Sequence, residues 1–262
     1  MSDALSRRFI AAQEIVKNAS EIALQMRPSP GGPQGSLKHA QDWLTETDGK
    51  IETYISKAIQ SLFPEDGFQG EEKGKTRSGS LRWIVDPIDG TSNYARGRNR
   101  WCISLGLMEE NVPTLGIIAA PCVNEFYTAR LGKGAFMNEK PIHVSDVKDP
   151  KISMIELGWS HVSKIDEFLK NAEAILKTGA MIRTLGSGTM SLVDVASGRL
   201  DGHFEMAINL WDVAAALVLL REAGACISPF LENGGLHQMT PILTAAPGIS
   251  DILSKTLHMS LS

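Results

Sequence analysis

The segment Trp83-Ile-Val-Asp86-Pro-Ile-Asp89-Gly-Thr91 constrains this chain more than any other. An apolar run of strand character leads into two carboxylates three residues apart, with a proline that fixes φ between them and a glycine that permits a tight turn after them. Side chains of a regular strand alternate, whereas a turn lets both acids converge on one point and frees the carbonyl of Ile88 to face it. Carboxylates and a carbonyl form a hard, oxygen-only donor set, which suits magnesium or manganese better than zinc. Asp-Pro and Asp-Gly are each ordinary turn formers. Their combination changes the reading, together with Glu71 and Glu72 in Gly70-Glu-Glu72 and Asp212 at the head of Val213-Ala-Ala-Ala-Leu-Val-Leu-Leu. Taken singly, Asp212 reads as a helix-capping acid and Glu71 as a solvated loop charge.

Around this segment the chain divides into recognisable elements. Leu5, Phe9, Ala12, Val16, Ala19, Ala23 and Met26 recur at spacings of three and four, one apolar face of a helix that the run Pro28 to Pro33 ends. Ile51, Tyr54, Ile55, Ala58, Ile59 and Leu62 mark a second helix, with Asp48 in the N-cap position and Pro64 as its stop. Short apolar runs at 81–85, 101–107, 114–119 and 125–130 read as strands of one sheet. Thereafter helices at 163–177, from Ser187 and from Asp212 alternate with strands at 181–185, 201–206 and 225–230, which is layered α/β structure. Residues 70–80 read as a mobile loop, and residues 145–151 as a link between two halves, about 1–148 and 149–262, of a single domain spanning 1–262.

Composition narrows the function classes. At 43% hydrophobic over 262 residues the chain can bury a large core. Its 26 basic and 30 acidic residues include no basic tract that would neutralise a row of phosphates, which argues against a nucleic-acid partner. Cys102, Cys122 and Cys226 are too few and scattered for a disulfide framework, which suits a reducing cytoplasm. No signal peptide and no membrane-spanning run is legible. The six histidines share no ligand spacing and read as structural or surface residues. Gly186-Ser187-Gly188, opening a helix, suits an anion site and a plain cap equally.

Trp83 to Tyr94 (WIVDPIDGTSNY), Trp211 to Ala225 (WDVAAALVLLREAGA), Gly70-Glu-Glu72 and Thr45-Glu-Thr-Asp48 stand in the order found in the inositol monophosphatase family, which the chain resembles from about residue 8 to about residue 250. That resemblance implies a five-layer α/β/α/β/α sandwich of the inositol monophosphatase/fructose-1,6-bisphosphatase type and a homodimer. It implies a phosphatase acting on a small phosphorylated alcohol, myo-inositol 1-phosphate first, with histidinol phosphate as the alternative substrate. It further implies that Glu71, Asp86, the Ile88 carbonyl, Asp89 and Asp212 bind two or three magnesium ions. Asp48 and Thr91, with Glu71, would serve the attacking water. The backbone of Gly90 and Thr91 would hold phosphate oxygens, Gly186, Ser187, Gly188 and Glu205 would contact the alcohol, and Asp89 and Asp212 would also border the substrate. Lys38 matches the family's loop lysine. Some bacterial relatives act instead in transcription antitermination with RNA polymerase, a role of a different class.

Two ionised carboxylates about 4 Å apart repel by about 4 kcal/mol at an effective dielectric near 20. Converging acids with a phosphate dianion therefore require cations. No residue in these motifs is placed as an activated nucleophile with its own base, so attack by water, without a phosphoenzyme, is the expectation.

Overall fold

The computed structural model describes residues 3–39 and 42–261. In chain order the first half runs α1 (Asp3–Gln25), β1 (Ser36–His39), β2 (Asp42–Leu44), α2 (Glu46–Leu62), β3 (Gly67–Gly70), β4 (Gly74–Arg77) and β5 (Leu81–Asp89). A short α3 (Thr91–Tyr94) follows, then β6 (Cys102–Glu109), β7 (Val112–Ala120), β8 (Glu125–Arg130), β9 (Ala135–Met137) and β10 (Lys140–Pro141). The second half has β11 (Met154–Leu157), α4 (Ile165–Lys177), β12 (Met181–Arg183), α5 (Gly188–Ala196) and β13 (Gly202–Ile208). It ends with α6 (Leu210–Ala223), β14 (Cys226–Ile227), β15 (Thr240–Ala245) and α7 (Pro247–Leu257).

The first half builds an eight-stranded sheet in the order β10-β9-β8-β7-β6-β5-β3-β4, and the second a five-stranded sheet in the order β12-β11-β13-β15-β14. Alternation along the central strands of the large sheet decides its two faces. Trp83, Val85, Ile103, Leu105, Leu107 and Ile117 pack with Val16, Ile51, Ile55 and Ile59 of α1 and α2. Ile84, Cys102, Met108 and Ile118 point the other way, into the layer of α5 and α6. Beyond that layer lies the small sheet, whose outer face carries Ile155, Leu157, Phe204 and Leu243 against Ile249 and Leu253 of α7 and Ile175 of α4. The result is the α/β/α/β/α sandwich. Helix α6 is apolar on every side because it is covered by sheets on both, with Val213 to Leu220 all buried. No described helix is long and apolar enough to cross a membrane.

The alanine run of α6 has a steric cause. A Cβ built on Gly116 of β7 would lie 2.2 Å from the carbonyl oxygen of Ala215, so helix and sheet are in backbone contact. Gly116→Ala is expected to cost about 2 to 3 kcal/mol through overpacking, read in a thermal melt as a drop of about 4–12 °C. An unchanged melt would mean that α6 sits farther from the sheet.

Several sequence expectations are corrected. Residues 67–77 form the β3–β4 hairpin, so Gly70 and Gly74–Arg77 of the expected mobile loop are paired strand. Strands β11 and β15 and helix α7 were not anticipated: their segments are short or lack a complete period. The strand expected over 225–230 is confined to Cys226–Ile227, and Ser228 and Phe230 bond outside it. The N-cap of α2 is Thr45, and Asp48 occupies the third helical position.

Candidate active site

The two acids of the opening motif converge by a device other than the expected turn. Strand β5 continues to Asp89, and its register against β6 shifts between Asp86, opposite Ser104, and Asp89, opposite Cys102. The extra residue on β5 is a β-bulge, which offsets the odd spacing so that both carboxylates emerge on one side. Asp86 Oδ1 accepts the N–H of Ile88 at 3.0 Å, holding the bulge. The tight turn comes one residue later, at Gly90 with φ +87°, and leads into α3.

Asp212 arrives from the second half on the first turn of α6. Its Oδ2 accepts the N–H of Asn209 at 2.9 Å, the carboxylate arm of a capping box. The capping reading and the metal reading thus both apply: one oxygen holds the helix start while the other remains for the site. Ligand oxygens of Asp86, Asp89 and Asp212 lie within 4.8 Å of one another. Thr189 Oγ1, donating to the Asp212 carbonyl at 2.6 Å, ties the beginnings of α5 and α6 together behind them.

Asp48 repeats the capping device on α2. Its Oδ2 accepts the N–H of Thr45 at 2.9 Å and the Thr45 hydroxyl at 2.5 Å, while Oδ1 lies 3.2 Å from the Thr91 hydroxyl. Thr91 Oγ1 is also 2.8 Å from the carbonyl of Ile88. Threonine, buried aspartate and motif carbonyl therefore form one connected set.

Glu71 lies outside the tight aspartate triad. Its Oε1 is 3.2 Å from Lys38 Nζ, which is also 2.7 Å from Glu72 Oε1. The Glu72 N–H in turn donates to the fully buried Glu52 at 2.8 Å, a support that the sequence reading missed. Asp89 Oδ2 accepts the buried Ser187 hydroxyl and, at 3.1 Å, the Thr189 N–H. The Gly186-Ser187-Gly188 turn thus meets the large sheet at a carboxylate of the motif.

Burial raises Asp48, Glu71, Asp86, Asp89 and Asp212. Asp86 is held well above the usual carboxylate range by desolvation and then by the charges of Glu71, Asp89 and Asp212. Asp212 is raised by desolvation and by Asp89 and Glu71. Desolvation pushes Asp89 to about 6 against the opposing bond from Ser187, and Asp48 to about 6 against its bonds from Thr45. Glu71 rises to about 7, again through burial, with Lys38 opposing. Burial disfavours the Lys38 ammonium, but Glu71 and Glu72 outweigh it and keep the charge in place. A cluster of acids raised by burial and mutual repulsion, all offering oxygen, fits a divalent cation.

Two cavities, of 410 and 390 Å³, meet where Asp89, Glu205 and Asp212 line both. The first also takes in Glu71, Asp86, Ile88, Gly90 and Thr91. The second takes in Gly186, Ser187 and Gly188. Asp48, fully buried, stands directly behind Thr91. Ser160 and His161 also line the first cavity, and Trp159 and Arg98 the second, though none of the four was among the site residues expected from the sequence.

Residues 5–259 match the model of the inositol monophosphatase family. A protein of Xylella fastidiosa named Nus factor SuhB is 39% identical over 195 residues, 74% of this chain and 71% of that one. The inositol monophosphatase of Dictyostelium discoideum is 32% identical over 263 residues, covering 97% of this chain and 96% of its own. Among solved structures, the extragenic suppressor protein suhB of Bartonella henselae superposes with a TM-score of 0.86 at 26% identity, covering 94% of this chain and 96% of that one. The IMPase of Thermotoga maritima does so at 0.84 and 28% identity, covering 96% and 97%. With its bulged acid pair, its layered sheets and a match over nearly its whole length, the chain belongs to the inositol monophosphatase family.

Proposed function

We propose that the chain hydrolyses a small phosphate monoester, myo-inositol 1-phosphate first, with magnesium and an attacking water. The observation that carries this reading is the convergence of Asp86 and Asp89 with Asp212 beside the Asp48–Thr91 pair, in a cavity that continues to Glu205. Glu71, Asp86, the Ile88 carbonyl, Asp89 and Asp212 would hold two or three magnesium ions, which when bound supply charge neutralisation at the phosphoryl group and a more acidic water.

The chain's own residues do the rest. Thr91 can accept a hydrogen bond from water while donating its own proton to Asp48 or to the Ile88 carbonyl, which fixes where the water stands. Asp48, raised to about 6, is suited to taking a proton near neutrality, and Glu71, at about 7, is a second acceptor. Backbone amides at Gly90 and Thr91 meet the phosphate. Gly186, Ser187, Gly188 and Glu205 shape the space for the alcohol, a carboxylate there suiting either hydroxyls or an ammonium. The two halves, about 1–148 and 149–262, act as one domain because each brings ligands to the same point.

Phosphate release should be measured from inositol 1-phosphate, histidinol phosphate and an aryl phosphate, with magnesium and with a chelator. Magnesium-dependent release led by the inositol ester is expected. Faster turnover of histidinol phosphate would replace the substrate, and no release from any ester would remove the enzymatic reading.

A homodimer is supported by Ile165, Leu169 and Leu176 of α4 and Met181 of the edge strand β12, all exposed apolar side chains in one region. Light scattering should give twice the chain mass. Free thiols at Cys102, Cys122 and Cys226 agree with a cytoplasmic setting. The relatives named Nus factor SuhB favour a second reading, a partner of RNA polymerase in antitermination. Under that reading an inactive Asp86→Asn chain would still rescue a deletion phenotype.

A further inference from the structure

We propose that His203 is a positioning residue that orients the Glu205 carboxylate toward the hydroxyl groups of the substrate alcohol. The proposal rests on the reading above that Glu205 meets the alcohol.

On β13 alternate residues share a face. Phe204 belongs to the outer core beneath α7, so His203 and Glu205 both point inward, toward α5 and the cavities. His203 is fully buried, and its Nε2 lies 3.6 Å from Glu205 Oε2, just beyond hydrogen-bond reach. Neither ring nitrogen has a hydrogen-bond partner among the described residues. Its cross-strand neighbours are Glu156 of β11 and Thr244 of β15. Glu156 is committed elsewhere, accepting from Arg100 at 3.2 Å and from the Leu185 N–H at 3.1 Å. The Thr244 hydroxyl is itself buried and unpartnered.

A buried donor without a partner costs about 1–3 kcal/mol. Glu205 is the acceptor that a small movement would bring into reach, and the same oxygen lies against Gly158, where a Cβ would stand 2.3 Å from Oε2. Backbone and imidazole thus both lie next to Oε2. Closing the His203 contact would fix the carboxylate of a residue that lines both cavities, so binding a hydroxyl and satisfying His203 support each other. The carboxylate touches substrate; the histidine acts through it.

The test compares inositol 1-phosphate with p-nitrophenyl phosphate, which has no hydroxyl groups to offer, in His203→Phe, His203→Gln, Glu205→Gln and the Phe/Gln double variant. His203→Phe is expected to raise KM for the inositol ester about 10-fold relative to the aryl ester. His203→Gln, whose amide still donates, should restore most of that loss, and His203→Phe should add nothing in the Glu205→Gln background. Equal losses on both esters, failure of the glutamine to rescue, or additive effects in the double variant would overturn the role of His203. If Glu205→Gln itself leaves the ratio between the two esters unchanged, or if only the aryl ester is turned over, the assignment of Glu205 to the alcohol fails and the proposal falls with it. A discriminating Glu205→Gln beside a neutral His203→Phe removes the histidine alone.

Discussion

Asp86→Asn is expected to lower magnesium-dependent phosphate release by about 10³-fold or more, yet to make the metal-free protein more stable at pH 8. The two effects have one cause. Asp86 is buried among Glu71, Asp89 and Asp212, and every one of those neighbours pushes it toward the neutral form. Asparagine keeps the Oδ1 that accepts the Ile88 N–H, so the bulge survives, while a charge that is costly to bury is gone. A gain of about 1–2 kcal/mol, or some 2–8 °C in a melt with chelator, should accompany the loss of turnover. Activity within tenfold of wild type would remove Asp86 from the proposed ligands, and a lowered melt would show that its charge supports the fold.

The second large effect concerns pH without metal. Asp48 and Asp89, near 6, and Glu71, near 7, are all raised above their ordinary values in the folded chain. For a carboxylate raised by folding, the native state binds more protons than the unfolded one between the two values. The stabilisation is complete below the unfolded value, near 4, and is lost as pH rises through 6 to 7. In chelator, the chain should lose about 3 to 5 kcal/mol between pH 5 and pH 8, seen as a fall of about 10 °C. Added magnesium should recover most of this at pH 8 and release protons at pH 6, since ligands must deprotonate to bind. A melting temperature that is flat or rises from pH 5 to 8 in chelator would show that these acids are compensated by something other than a metal.

The amphipathic faces of α1 and α2 and the four central strands of the large sheet were legible because each reflects a local period, three to four residues or two, imposed by one covering layer. The acid motif was legible for the same reason, since Asp86, Ile88, Asp89 and Thr91 lie within one short segment whose chemistry is visible in a row. Asp48 was read one role away from its own: an acid at the cap and an acid three residues inside it look alike until the partner N–H is known, and here it belongs to Thr45. The hairpin over residues 67–77 was missed because its strands are short and polar, and their pairing is decided by β5 beside them.

By itself the sequence determined the elements with strong periods, the oxygen-rich donor set and the family. Tertiary structure decided which of those elements meet. The bulge that turns Asp86 and Asp89 to one side is set by register against β6, and Asp212 joins them because α6 is pressed onto a glycine of β7. His203 became more than a core residue only once β11 and β15 were found on either side of it with no hydrogen bond to its ring. Local periods are written in consecutive residues, but convergence depends on register and layer packing between segments far apart in the chain, and those are fixed only when the whole core closes.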